Sequence, residues 1–255
     1  MTRAFIGGIG LCAPGLDATS EWLTTFPGIT DSGEPSEVLP AALRRRASPL
    51  TRMAATVAAQ AARQAGLDLA RVPLVLGSAY GEIVAAAEMI RSFGEDEGLP
   101  SPTRFHNSVH NTAAAYLSMA TGNRGFSTAL AAGSATPAAV VLEALAWLRS
   151  CGGEALLVLL DELPPAPFDL AHPYPTAAVA LHVSAEPTRG TLAVVSGLRR
   201  GIASRPDLPG GLGAHPCAGA FAMAAAVARG QRGALGLGAF DEDGWLVDVD
   251  AVRVG

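Results

Sequence analysis

The stretch SVHNTAAAYLSMATGNRGFSTALAAGSATPAAVVLEALAWLRS, residues 108–150, decides how the chain is read. Its composition predicts a helix that ends near Gly122, a short strand from Ser127, and a second helix from Pro137. Between strand and second helix lies a corner of small residues, Ala132-Gly133-Ser134. A residue at such a corner sits on a helix N-terminus, where aligned N–H groups favour negative charge, so it is a place where enzymes seat nucleophiles. Here the residue is Ser134, and the question is whether it does chemistry or marks chemistry that has been lost.

Outward from this stretch the pattern alternates. Residues 3–15 predict a strand running into a Gly/Pro loop. Residues 48–68 predict a capped helix with Leu50, Met53, Ala54, Val57, Ala58 and Ala61 on one face and Gly66 as the stop. A buried strand is expected within 71–81, helices at 83–93 and 108–121, a strand at 127–132, a helix at 137–150, and strands at 154–161 and 176–184. Near-continuous apolar strands between helices imply an α/β sheet covered by helices on both faces. No repeat or low-complexity linker divides the chain, so residues 1–255 are expected to form a single domain with a core at about 3–184 and a C-terminal extension at 185–255.

Bulk properties narrow the function classes. Charged residues are 16% of the 255, below the usual level of about 25%, and the apolar fraction of 49% is rich in alanine. An extensive protein–protein interface and a compositional bias toward alanine both account for this. With a net charge of −5 and no basic stripe interleaved with aromatics, nucleic acid is not an expected partner. Arg44, Arg45 and Arg46 read as the solvated start of a helix. Cys12, Cys151 and Cys217 have neither CxxC spacing nor an even count, which argues against a zinc site or a disulfide framework and for a reducing cytoplasm. Thr2 and Arg3 lead straight into a strand-like run, so no secretory signal is expected. Residues 129–148 carry Pro137 and Glu143 and read as a buried helix, not a membrane span.

Several segments carry a family resemblance. FIGGIGLCAPG (5–15) resembles the first strand of the β-ketoacyl synthases, the condensing enzymes of fatty acid and polyketide synthesis. RRRASPLTRMAATVAAQAARQAGLD (44–68) with VPLVLGSAYGE (72–82) is similar to their first long helix and second strand. Residues 108–140 resemble the segment leading into the nucleophile, and PFDLAHPYPTAAVALHV (167–183) resembles the family's PFD loop and following strand. The resemblance, covering about residues 3–184, implies half of a thiolase-like fold: a mixed five-stranded sheet with helices on both faces.

In that resemblance Gly125-Phe126-Ser127 stands where the family has Gly-Pro-Ser, and the catalytic cysteine position falls on Ser134. A serine hydroxyl is a far poorer nucleophile than a thiolate unless a neighbouring base activates it. The family's two catalytic histidines belong to a second half for which this sequence leaves no room, and LGAHPCAGAFAMAAAVARG (212–230) reads as an alanine-rich helix with His215 as its N-terminal neighbour. The combination is similar to the short chain-length-factor-like proteins that accompany aryl polyene and related pigment ketosynthases. That similarity implies a non-catalytic subunit in which Ser134 is a relic. It would pair with a complete β-ketoacyl synthase, shape the acyl tunnel, and meet acyl carrier protein only through the complex. No cofactor is implied.

The same resemblance implies that TRFHNSVHNTAAAY (103–116) reaches toward the partner's tunnel, with Phe105 and His106 as bulky members and Asn107 and His110 as polar companions. Phe105 as plain filler of the interface is the competing reading. His106 and His110 lie four apart, a helical metal-site spacing, yet no acid or cysteine is near in sequence to complete a site, so no metal is expected. His172 and His182 read as solvent-facing or hydrogen-bonded, and GGIG (7–10) lacks the dinucleotide fingerprint. The alternative function is a stand-alone serine acyl hydrolase or acyltransferase using Ser134 with a histidine such as His110.

Overall fold

A computed structural model describes residues 3–13, 38–95, 101–168, 170–240 and 243–252. The Gly/Pro loop expected after the first strand, and Asp169 of the PFD segment, lie outside the described residues. The elements in order are β1 (Arg3–Cys12), α1 (Ala41–Arg44), α2 (Pro49–Ala65), β2 (Leu74–Gly77), α3 (Ile83–Glu95), α4 (Pro102–Asn107), α5 (Thr112–Thr121) and β3 (Ser127–Leu130). A 3₁₀ turn (Gly133–Ala135) then leads into α6 (Thr136–Cys151), followed by β4 (Glu154–Asp161), β5 (Ala177–Ser184) and β6 (Ala193–Ile202). A second 3₁₀ segment (Pro209–Ala214), α7 (Ala218–Ala228), β7 (Arg232–Gly238) and β8 (Asp243–Ala251) complete the chain.

The sheet is mixed α/β as expected, but it has eight strands in the order β3-β2-β4-β5-β1-β6-β8-β7, not five. β2 pairs in parallel with β3 and β4, and every other pairing is antiparallel. The three additional strands come from the segment read as an extension. Their partly exposed runs, glycine-rich in β7 (RGALGLG) and interrupted by charge in β6 and β8, carry little of the continuous apolar character that marks β4.

Two cores flank the sheet. On β4, Leu157 and Leu159 face the core under α6 and α7, while Leu156, Val158 and Leu160 face the core under α2 and α5. This is the period-2 pleat buried on both faces, and it explains the unbroken apolar run in sequence. β1 departs from the pleat in an informative way. Ala4 and Ile6 share the α6/α7 core with Ile9 and Leu11, a change of parity, because a bulge between Ile6 and Gly8 inserts one residue.

β6 pairs with β1 only as far as Ile6, which leaves one edge of residues 9–12 without a strand partner among the described residues. Helix α2 fills the gap. Gln64 and Gln60, one turn apart, accept the N–H groups of Ile9 and Leu11, each at 2.8 Å. That approach requires glycine: a Cβ on Gly8 would lie 2.3 Å from the Ala61 carbonyl oxygen, and one on Gly10 would lie 2.0 Å from that of Val57. GGIG is therefore a helix-packing motif. Gly10→Ala must push α2 off the sheet, and we expect it to cost about 2 kcal/mol as an overpacked site and to lower Tm by about 5 °C. An unchanged melting curve would refute this account.

α2 itself follows its sequence. Ser48 accepts the Thr51 N–H at 2.8 Å, Pro49 occupies the first helical position, and Gly66 closes the helix in the left-handed conformation at φ 71°. Of the expected face, Leu50, Ala54, Val57, Ala58 and Ala61 are buried, with Met53 half-buried at its edge. Arg44 ends α1, and Arg45 and Arg46 form the turn before α2, so the basic cluster stands at a helix end and not at a start. None of the helices among the described residues is long and apolar enough to cross a membrane.

Candidate functional site

Ser134 sits in the 3₁₀ turn at the N-terminus of the sixteen-residue helix α6, at the strand-to-helix corner its sequence implied. Gly133 takes φ 55°, a left-handed conformation that suits glycine. The buried Thr136 locks the corner: its hydroxyl donates to the Gly133 carbonyl at 2.7 Å and accepts the Ala132 N–H at 3.0 Å. From the far edge of the sheet Gly238 of β7 packs on the same turn, so closely that a Cβ there would lie 2.0 Å from the Ser134 carbonyl oxygen. The sheet thus curls around α6, and β7 helps to close the corner.

The Ser134 side chain opens onto a cleft of about 430 Å³ lined also by Ala79, Tyr80, His172, Tyr174, Arg205, His215 and Phe240. His215 is 2% exposed, with its ring between Tyr174 and Phe221 at centroid distances of 4.9 and 5.0 Å. Its Nδ1 accepts the Cys217 N–H at 3.0 Å, which leaves the proton on Nε2, and Nε2 donates to the Asp161 carbonyl at 3.2 Å. Both nitrogens are occupied, and burial drives the imidazole down to about 4, so it is neutral. His172 stands exposed at the rim.

Below the cleft lies a node that the sequence reading did not single out. Asp161, at the end of β4 and wholly buried, accepts the Ser78 hydroxyl at 2.7 Å, the Ala79 N–H at 2.9 Å, the Tyr80 N–H at 3.0 Å and the Cys217 thiol at 3.4 Å. Burial pushes its carboxyl up, and these donors push it back. The Cys217 thiol, also buried, is driven well above its ordinary value by desolvation and by the Asp161 charge, so it is not a thiolate nucleophile. Burial likewise raises Cys12 to about 11.

Two more carboxyls adjoin the same loop. Glu162 accepts the Val84 N–H at 3.0 Å, and burial, with the negative Glu82, Asp161 and Glu88 nearby, raises it to about 7. Glu82 accepts from Ser48 at 2.8 Å and Thr51 at 2.6 Å through Oε1, while its buried Oε2 has no partner among the described residues. Burial raises its pKa, against the pull of the two hydroxyl donors. A sequence signal for this node existed: charge at the end of a wholly apolar strand, LLVLLDEL (156–163), is placed where water is scarce.

The helix expected over 108–121 begins only at Thr112. α4 ends at Asn107 and α5 begins at Thr112, so His106 and His110 do not share one helical face. Thr112 stabilises the break, its hydroxyl donating to the His106 and Val109 carbonyls at 3.0 and 2.7 Å. Phe105 is 59% exposed and Val109 37%. The His106 ring lies 5.6 Å from that of Tyr116. Asn107 Nδ2 donates to the Arg46 carbonyl at 2.6 Å, and His110 Nε2 contacts the Ser78 carbonyl at 2.9 Å. The β2–α3 loop therefore links the two regions: Ser78 meets His110 on one side, and Tyr80 lines the Ser134 cleft on the other. His110 does not line that cleft. His182 lies elsewhere, buried on β5 with Nε2 3.3 Å from Glu154, its pKa lowered by burial against the pull of that carboxylate.

Known structures share this architecture. A ketosynthase (ApeO) in complex with its chain length factor (ApeC), from Xenorhabdus doucetiae, matches with a TM-score of 0.71 at 21% identity, over 98% of this chain and 100% of the matched chain. The ishigamide ketosynthase/chain length factor matches equally well at 0.71 with 14% identity and the same coverage. A β-ketoacyl synthase from Burkholderia phymatum STM815 matches at 0.58 with 16% identity, over 79% of this chain and 65% of that one. No curated protein sequence matches. Residues 22–204 match the family described as β-ketoacyl synthase, N-terminal domain, which is most of the chain, and the protein belongs to that family.

Proposed function

We propose that this protein is a non-catalytic, chain-length-factor-like subunit that pairs with a complete β-ketoacyl synthase and shapes its acyl tunnel, in polyene biosynthesis of the aryl polyene type. The observation that carries the reading is the nucleophile corner itself. It keeps a tight turn at a helix N-terminus, but it presents a serine that shares its cleft with a histidine whose two nitrogens are already occupied. A serine without an available base gains nothing from the helix N-terminus at neutral pH. The two matched structures that pair a ketosynthase with a chain length factor, each with a chain covered end to end, support the choice of partner.

The surface supports pairing. Among the described residues β3 ends the sheet with one edge unpaired, and Ile90, Phe93, Phe105 and Val109 expose apolar area on neighbouring α3, α4 and the turn after it. A permanent pair built there should bury more than about 2,000 Å². In this arrangement Phe105 is the gate. The single domain read from sequence, residues 1–255, would act as one unit in the pair, and acyl carrier protein would reach it through the ketosynthase.

The test is co-purification with a full-length ketosynthase from the same genome that retains its nucleophilic cysteine, followed by product analysis. We expect a stable heterodimer, no labelling of Ser134 by a fluorophosphonate, and product formation within about twofold of wild type for Ser134→Ala, because no transition-state interaction is lost. A loss of about 10²-fold or more in a folded Ser134→Ala pair would favour the acyl hydrolase or acyltransferase alternative instead.

A further inference from the structure

α4 buries none of its six residues, so no apolar face fixes it to the domain. Polar ties hold it in place. Tyr116 projects from the packed helix α5 and is 2% exposed, and its hydroxyl donates to Asn107 Oδ1 at 3.0 Å. Asn107 Nδ2 donates in turn to the Arg46 carbonyl at 2.6 Å, in the turn between α1 and α2. The amide orientation follows from chemistry: a backbone carbonyl only accepts, so the NH₂ must face Arg46 and the oxygen must face Tyr116. Ser108, just past the helix, adds a contact to Met89 of α3 at 3.3 Å.

Asn107 and Phe105 are two positions apart, about 200° around a helix, and so lie on opposite faces. Phe105 points out because Asn107 points in. We propose that Asn107 and Tyr116 form a latch that fixes the height and rotation of α4, and that they are positioning residues for product length although neither lines the tunnel. This inference rests on the proposed function, with Phe105 as the gate. The latch ties the gate to a rigid core helix. Without it, α4 keeps its contacts to α3 but gains freedom to roll, and Phe105 moves with it.

The experiment uses the purified heterodimer and two readouts, amide hydrogen exchange across residues 102–110 and mass spectrometry of the released chains, for Tyr116→Phe and Phe105→Ala. Tyr116→Phe removes one oxygen and keeps the ring in the core, so the fold survives. We expect α4 amides to exchange roughly two- to tenfold faster, the factor set by one net hydrogen bond, and the product distribution to broaden while the pair stays assembled. Unchanged exchange in Tyr116→Phe overturns the latch. Faster exchange with unaltered lengths, while Phe105→Ala lengthens the products, overturns the positioning role and leaves the gate standing. Unaltered lengths in both variants of an intact pair overturn the gate, and the positioning role with it.

Discussion

Asp161→Ala is expected to destabilise the protein by about 4 kcal/mol or more, a large part of the stability of an ordinary domain. The side chain is wholly buried and gathers four donors, from Ser78, Ala79, Tyr80 and Cys217. Truncation leaves each without its acceptor in a space closed to bulk water, at about 1–3 kcal/mol per abandoned group before relaxation. The consequence spreads because Ser78 also accepts the Gly81 N–H at 2.7 Å, so the whole β2–α3 loop is referenced to this carboxylate. Asp161→Asn separates network from charge. One oxygen can still face Ser78 and Tyr80, but the new NH₂ opposes the Ala79 N–H, and about half of the loss should remain. Urea unfolding with an unchanged m-value measures both, and a loss under about 1 kcal/mol for Asp161→Ala would sink the argument.

The second large effect is a pH dependence owed to Glu162. The carboxyl is raised from 4.5 to about 7 in the fold. A group with a raised folded pKa contributes stability that is fully present below its unfolded pKa and is lost as pH rises through the folded one. The displacement, at roughly 1.4 kcal/mol per pH unit, is worth about 3 kcal/mol between pH 4.5 and 7. His215 works in the opposite sense. Its folded pKa falls from 6.5 to about 4, so its contribution is present above pH 6.5 and is lost as pH falls toward 4. These two contributions largely cancel between pH 4.5 and 6.5, so the part owed to Glu162 is read against a variant that lacks it. Glu162→Gln keeps an acceptor for the Val84 N–H and removes the titration. Its stability relative to wild type should therefore rise by about 3 kcal/mol from pH 4.5 to 7.5. A parallel pair of pH profiles would show that Glu162 is already solvated enough to ionise freely.

Much of this molecule follows from local sequence. The apolar strand at Glu154–Asp161, the Ser48-Pro49 start and Gly66 stop of α2, and the small-residue corner at Ser134 each rest on interactions between residues close in the chain: pleat periodicity, capping geometry, and the freedom of glycine at positive φ. Such features are decided within a few residues, and the family resemblance is carried by their order. The tertiary structure alone decided three things. Strand β7 exists as a strand because it extends an existing sheet edge; its own glycine-rich segment carries no periodic signal strong enough to announce it, whereas β8 does alternate, with Val247, Val249 and Ala251 in the core. GGIG became a packing motif only once α2 lay against it. The surroundings of the site were set by partners far away in sequence: His215 Nε2 is taken up by the Asp161 carbonyl fifty-four positions earlier, and Asn107 is held by Arg46, sixty-one positions earlier. Hydrogen-bond saturation and desolvation are properties of three-dimensional neighbourhoods, and no local pattern encodes them.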